Sequence, residues 1–144
     1  MYSREETQKL KREFWVAFSD KYPRKWILYD TKIKDFSFKF FVDNKRAQVF
    51  IDIEMRDADK RKAYFEKLES LKTILNDEFV KGLVFESNFT LESEKTISRI
   101  WVEKLNVSVS NKNNWDEIFD FFNEKMDILE RFYLEYEDCI KDVK

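Results

Sequence analysis

The sequence contains no histidine, and glycine, proline and cysteine occur once each among its 144 residues. Without histidine, the chain cannot form a Ser-His or Cys-His catalytic pair, nor the usual histidine-containing zinc sites. A single glycine excludes the phosphate-binding loops of the P-loop and of the dinucleotide fingerprint, since both need several glycines. A single cysteine, Cys139, excludes disulfide frameworks and cysteine-rich metal sites. Most common catalytic motifs are thereby excluded, and we expect no cofactor.

Long apolar runs are also missing, because none approaches the roughly 20 residues that a membrane span needs. The first residues are charged, unlike a signal peptide, so we expect a cytoplasmic protein without membrane contact. The 27 basic and 29 acidic residues leave a net charge of −2, which does not indicate a nucleic-acid-binding protein. Aromatic residues, in contrast, make up 17% of the chain, a content that predicts a folded domain rather than disorder.

The hydrophobic pattern predicts one α+β domain over residues 1–144, in the order α-β-β-β-α-β-β-α, with a largely antiparallel sheet packed by helices. Ser3 and Glu6 form a predicted capping box for a first helix that ends before Pro23. Asp57 is a predicted cap of the second helix, and Gly82 follows its end. Asn113 or Asn114 is predicted to cap a last helix roughly 40 Å long. The predicted strands are residues 26–29, 36–42, 49–55, 83–91 and 97–105.

One candidate site is a pair of carboxylates on a predicted strand. Asp52 and Glu54 are two residues apart, so both project from the same face of the sheet and could hold Mg²⁺. The order α-β-β-β-α-β resembles the core of the PD-(D/E)XK nucleases. Those enzymes have a further acidic residue on the strand before the signature, and Asp43 would be that residue in this chain. The sequence departs from the nuclease signature, because Glu54 or Arg56 stands where the lysine belongs. A solvated polar strand face is the alternative interpretation.

The polar side of the predicted sheet also carries aromatic residues. Phe41, Phe50 and Trp101 would share this side with charged residues, as in a stacking platform for single-stranded nucleic acid. Acids match or outnumber bases there, which disfavours phosphate binding. We therefore predict that the last helix or a partner subunit covers these residues. The predicted interface residues are Phe41, Phe50, Trp101, Phe121 and Ile128.

Charge is unevenly distributed along the chain. Residues 1–48 carry a net charge of +5 (12 basic, 7 acidic), and residues 111–144 carry −5 (5 basic, 10 acidic). The basic stretch could contact nucleic acid. In the other interpretation, the first and last helices lie together and attract each other, or oppositely charged faces steer self-association. The candidate nucleic-acid-binding residues are Lys11, Arg12, Arg24, Lys25 and Trp26.

Several segments resemble one known family. They are residues 14–15 (FW), 47–53 (AQVFIDI), 64–72 (YFEKLESLK), 96–100 (TISRI) and 113–115 (NNW). Together they resemble the family catalogued as domain of unknown function 4268, over nearly the whole chain. The resemblance implies a small bacterial protein, since members occur as stand-alone bacterial chains. Similar domains also occur behind nuclease-like domains. It assigns no catalytic residue.

The leading functional hypothesis is a non-enzymatic domain that acts through protein contacts or self-association, as a homodimer or with a protein partner. A divergent or inactive metal-dependent nuclease centred on Asp52 and Glu54 is the first alternative. A nucleic-acid-binding accessory domain is the second.

Overall fold

A computed structural model describes residues 3–143. Four strands and three longer helices account for most of this region, and short helical turns precede β3 and the last helix. In chain order the elements are α1 (Arg4–Lys21), β1 (Phe36–Val42), β2 (Arg46–Ile53), α2 (Ala58–Ser70), α3 (Lys72–Ile74) with a π-helical turn (Leu75–Phe79), β3 (Val84–Thr90), β4 (Thr96–Leu105), a 3₁₀ turn (Lys112–Asn114) and α4 (Trp115–Lys141). The predicted α+β class is confirmed.

The four strands form one antiparallel sheet in the order β1-β2-β4-β3. Because side chains alternate along a strand, residues that pair across the strands share a face. Val49 lies opposite Phe40 and Val102, and these residues face the helices and the core. Phe50 lies opposite Lys39 and Trp101 on the other side, which we call the open face.

Aromatic rings fill the layer between the sheet and the helices. Phe122 of α4 is fully buried and contacts Phe14 of α1 (6.2 Å between centroids) and Phe40 of β1 (4.9 Å). Trp15 stacks on the Phe122 ring, with the ring centroids 5.8 Å apart. The high aromatic content is therefore largely explained by this core.

The segment predicted as the first strand, residues 26–29, is irregular, so the prediction of three strands before α2 is wrong. Leu28 has a positive φ of 46°, which interrupts an extended conformation. The segment still lies beside β1, where the Phe38 N–H donates to the Leu28 carbonyl at 3.0 Å. The element order that suggested a nuclease core is thus incomplete, and that relation stays a prediction.

The helix caps agree in part with the sequence. Ser3 and Glu6 form the predicted capping box, and the Asp57 carboxylate accepts from the Asp59 and Lys60 N–H groups. Gly82 has the expected left-handed conformation, with φ 81°. For α4, Asn114 is the N-cap residue, as predicted, but its side chain makes no cap hydrogen bond, and Asn111 caps the preceding 3₁₀ turn.

The packing of α1 and the loop after it against α4 brings the two oppositely charged ends of the chain together. Lys21 forms an ion pair with Asp120 at 2.9 Å, and this hydrogen bond raises the pKa of Lys21. Arg24 pairs with Asp127 at 2.8 Å and with Glu130 at 2.6 Å. The basic start of the chain thus lies against the acidic end, as one of the two interpretations predicted.

Glu130 anchors the loop between α1 and β1. Its buried carboxylate accepts from the Ile27 N–H and from the Arg24 guanidinium, each at 2.6 Å. Burial raises the pKa of Glu130, and these hydrogen bonds oppose that effect. The loop is also bound to Tyr133 of α4, whose hydroxyl donates to the Thr31 carbonyl. Burial raises the pKa of that tyrosine to about 12, so it stays a donor at neutral pH.

We expect Glu130→Ala to lower the free energy of unfolding by about 1–3 kcal/mol, because a partly buried N–H and a guanidinium lose their acceptor. Glu130→Gln keeps an acceptor and should cost less. Urea unfolding at pH 7 measures both variants. Glu135→Ala, at an exposed position of the same helix, is the control and should change the free energy by less than about 0.5 kcal/mol. Equal losses in Glu130→Ala and Glu135→Ala would contradict the anchoring role.

Candidate binding surface

The centre of the open face is a buried ion pair between neighbouring strands. Asp52 of β2 lies directly opposite Arg99 of β4. The guanidinium binds the carboxylate through two hydrogen bonds, Nε to Oδ1 at 2.7 Å and Nη2 to Oδ2 at 2.9 Å. The Asp52 residue is fully buried, and the Arg99 side chain is 12% exposed. Such a bidentate pair fixes the position of both side chains.

Two phenylalanines enclose the Arg99 guanidinium. Its Cζ atom lies 3.9 Å from the ring centroid of Phe50 and 4.5 Å from that of Phe89. Phe41 stacks on Phe50 with centroids 5.7 Å apart, and Trp101 meets Phe89 edge-on at 5.8 Å. The open face therefore carries its own small aromatic cluster, built around a cation.

Lys39 extends the ion-pair network towards β1. Its ammonium lies 3.1 Å from Asp52 Oδ2 and 2.9 Å from Glu54 Oε2. Burial alone would lower the pKa of Lys39, but the hydrogen bond to Glu54 and the charge of Asp52 outweigh it and raise the pKa. Lys95, in the turn between β3 and β4, reaches Glu54 at 3.7 Å. Both carboxylates are thus held by cations of the chain itself.

A groove of about 660 Å³ runs along this face. One end is formed by Asp43 and Arg46 near the β1–β2 turn, and the other by residues 90–93 near the β3–β4 turn. The rings of Phe41, Phe50 and Trp101 line it between these ends. Its size falls within the range of ligand-binding clefts.

Acidic side chains outnumber basic ones on the open face and its rim. The acidic residues are Asp43, Asp52, Glu54, Glu86, Glu92 and Glu103, and the basic residues are Lys39, Arg46, Lys95 and Arg99. The surface therefore lacks the positive charge that phosphate binding requires.

The predicted metal residues do not come together. Asp52 and Glu54 share a face, as predicted, but Asp52 binds Arg99 and Lys39. Asp43 lies in the β1–β2 turn, where its Oδ1 accepts from the N–H groups of Lys45 (2.8 Å) and Arg46 (2.9 Å). Within residues 3–143, no three Asp, Glu or Cys side chains are grouped so that they could hold a metal ion. This arrangement does not suit Mg²⁺, and the site stays a prediction from sequence.

The five predicted interface residues lie on two sides of the molecule. Phe41, Phe50 and Trp101 are on the open face, and the expectation that the last helix covers them is wrong, because α4 packs on the opposite face. Phe121 and Ile128 of α4 are half-buried against the core. Only the first three belong to one surface.

The predicted nucleic-acid residues are also divided. Trp26 stacks on Phe18 with centroids 6.2 Å apart, and the Arg24 guanidinium lies 3.9 Å from the Trp26 ring. Since Arg24 also binds two carboxylates of α4, this pair serves the packing of the loop. Lys11, Arg12 and Lys25 are exposed.

The sequence pattern of β3 does not indicate that Phe89 lies on the open face. Strict alternation would place Glu86 and Asn88 on the open face and Phe89 on the other side. The pairing with β4 shifts between Glu86 and Phe89, so Phe89 lies opposite Ile97 and reaches Arg99. A β-bulge reverses the alternation in this way, and no glycine or proline in the strand signals it.

Fold and surface together define a small α+β domain whose sheet has helices on one side and an aromatic, charged groove on the other. The chain belongs to the family described as Domain of unknown function (DUF4268), whose model matches residues 10–137. The resemblance seen in the sequence is thereby confirmed. Comparisons with curated proteins and with solved structures gave no match. No helix within residues 3–143 has the length and apolarity to span a membrane.

We expect Asp52→Ala to lower the free energy of unfolding by about 3–5 kcal/mol, because Arg99 would be left buried without its partner. The double variant Asp52→Leu/Arg99→Met should recover more than half of this loss, since apolar side chains can replace a buried pair. Chemical denaturation measures all variants.

Arg46→Ala provides the matched control for that experiment. The Arg46 side chain is 41% exposed and approaches Glu103 at 3.4 Å, so its loss should cost less than about 1 kcal/mol. An Asp52→Ala protein as stable as Arg46→Ala would show that the buried pair does not hold β2 to β4.

Proposed function

We propose that this chain is a non-enzymatic protein-binding domain and that the open face of its sheet is the docking surface. The observation that carries the proposal is the one-sided sheet: the helices cover one face, and the other presents an aromatic groove. The ion pairs on that face use Asp52 and Glu54 for structure, which favours binding over catalysis.

Exposed apolar side chains are concentrated on this face. Within residues 3–143, six large hydrophobic residues are exposed: Val16, Tyr29, Phe41, Val84, Leu105 and Leu134. By strand register, Phe41, Val84 and Leu105 lie on the open face. Tyr29 lies at its edge, with its ring centroid 5.9 Å from the Lys39 ammonium. Exposed apolar side chains collected on one face are typical of an interaction surface.

The side chains of the face are already held in place. Arg99 is fixed by Asp52 and by two rings, and the Gln48 amide donates to Glu103 at 2.8 Å. A partner would therefore order few mobile side chains on binding, which reduces the entropic cost of association.

A second copy of the chain is the simplest protein partner, and the homodimer expected from sequence would use the same exposed residues. The face spans four strands and about seven residues along each, or roughly 20 by 23 Å. Two such faces would bury roughly 900 Å² in total, less than stable specific interfaces bury, so a dimer formed here should be weak.

Two valines form a matched pair for testing the surface. Val84 on the open face is 42% exposed, and Val16 on α1 is 61% exposed. We expect a random-peptide display library to yield clones that bind the wild type and Val16→Lys, but bind Val84→Lys at least tenfold more weakly. The cation introduced at Val84 would oppose apolar contact there and leave α1 unaffected.

Sedimentation velocity at about 10–200 μM accompanies the selection and tests self-association on the same variants. Leu105→Lys and Leu134→Lys repeat the comparison with leucines that are 54% and 59% exposed. A strictly monomeric protein that enriches no peptide would overturn the proposal. Binding unaffected by both Val84→Lys and Leu105→Lys would place the contact elsewhere and would also overturn it.

A further inference from the structure

The groove on the open face has the length of an extended peptide segment. It is lined from Arg46, the first residue of β2, to Arg99, which lies opposite Asp52. Six steps along a strand span about 20 Å. An extended segment of about six residues therefore matches this length, and alternate side chains of such a segment would point into the groove.

A second copy packed face to face fits this shape less well. In a symmetric dimer with the two open faces in contact, each copy would contribute a groove of about 660 Å³. The helices of both copies lie on the far side of their sheets, so their side chains could not fill these grooves. Interfaces of high affinity are packed as closely as protein interiors, so unfilled volume of this size is unfavourable. The groove is better matched by a ligand that enters it.

Charge and ring chemistry indicate which side chains the groove accepts. Asp52 neutralises Arg99, and Arg46 lies 3.4 Å from Glu103, which is just outside the groove. The other charged lining residues, Asp43 and Glu92, therefore leave the groove negatively charged. The same groove exposes the Phe41 ring (37% exposed). Aromatic faces and carboxylates together attract guanidinium and ammonium groups.

The molecule itself contains an example of this recognition. The Arg99 guanidinium lies between the rings of Phe50 and Phe89 while a carboxylate binds its edge. We propose that the groove binds an extended, basic segment of a protein partner, with one arginine or lysine side chain against Phe41 and Trp101 and a second close to Glu92, at the end formed by the β3–β4 turn. This inference rests on the proposed function and specifies the partner's chemistry.

The probe is the blocked hexapeptide acetyl-Ser-Arg-Ser-Arg-Ser-Arg-amide. Its citrulline analogue keeps the shape and hydrogen-bonding capacity but not the charge, and a glutamate analogue reverses the charge. NMR titration of the full chain follows the indole N–H of Trp101, assigned with Trp101→Phe. We expect the arginine peptide to bind at least tenfold more tightly than the citrulline peptide, and more weakly at 500 mM than at 50 mM salt.

Two variants test the assigned contacts. Phe41→Leu keeps an apolar side chain but removes the ring, and should weaken arginine-peptide binding about fivefold. Glu92→Gln removes one rim charge and should weaken it about threefold, while Glu135→Gln on α4 is the control and should have no effect. Equal effects of Glu92→Gln and Glu135→Gln would overturn the placement of the cation.

The outcomes separate this inference from the proposed function. Equal affinity for the arginine and citrulline peptides would overturn the basic partner but leave a protein-binding groove. Self-association of the wild type that is lost in Val84→Lys, without binding of any peptide, would assign the face to a second copy and overturn the inference. Tighter binding of a single-stranded oligonucleotide than of the arginine peptide would overturn it as well. If the wild type neither binds a peptide nor self-associates, the proposed function is overturned.

Discussion

The buried pair of Asp52 and Arg99 is the interaction on which the open face depends. The helices pack on the other side of the sheet, so nothing in the described chain shields this face from water except its own side chains. A charged pair in this position is stable only with near-ideal hydrogen bonds, and the bidentate geometry supplies them. Phe50 and Phe89 both contact the guanidinium of this pair, and their rings form part of the groove wall.

Much of the fold could be predicted from the sequence because its main patterns are strong. Alternation along residues 36–42 and 49–55 and the aromatic stripe of α4 each place one apolar face against the core. The failures occur where backbone conformation departs from those patterns. Residues 26–29 are apolar, as in a strand, but the positive φ of Leu28 and the bond from Ile27 to Glu130 hold them in a loop.

The surface was harder to predict than the fold, because it depends on contacts between distant parts of the chain. Asp52 and Glu54 were correctly placed on one face, but a carboxylate's role depends on its neighbours, and Arg99 lies 47 residues further along the chain. Phe89 reaches the groove only because a bulge shifts the register of β3. Single-sequence alternation contains no information on either point.

The small net charge of the chain conceals two different arrangements of charge. At the α1–α4 contact, Lys21 and Arg24 from the basic start of the chain pair with carboxylates of the acidic α4, so these two cations are not free to bind another group. On the open face, pairing is incomplete and carboxylates remain in excess around exposed rings. A partner that brings cations would complete this pairing, whereas a partner that brings phosphates would add to the excess. The arrangement of charge, more than its total, therefore favours a basic protein segment over nucleic acid.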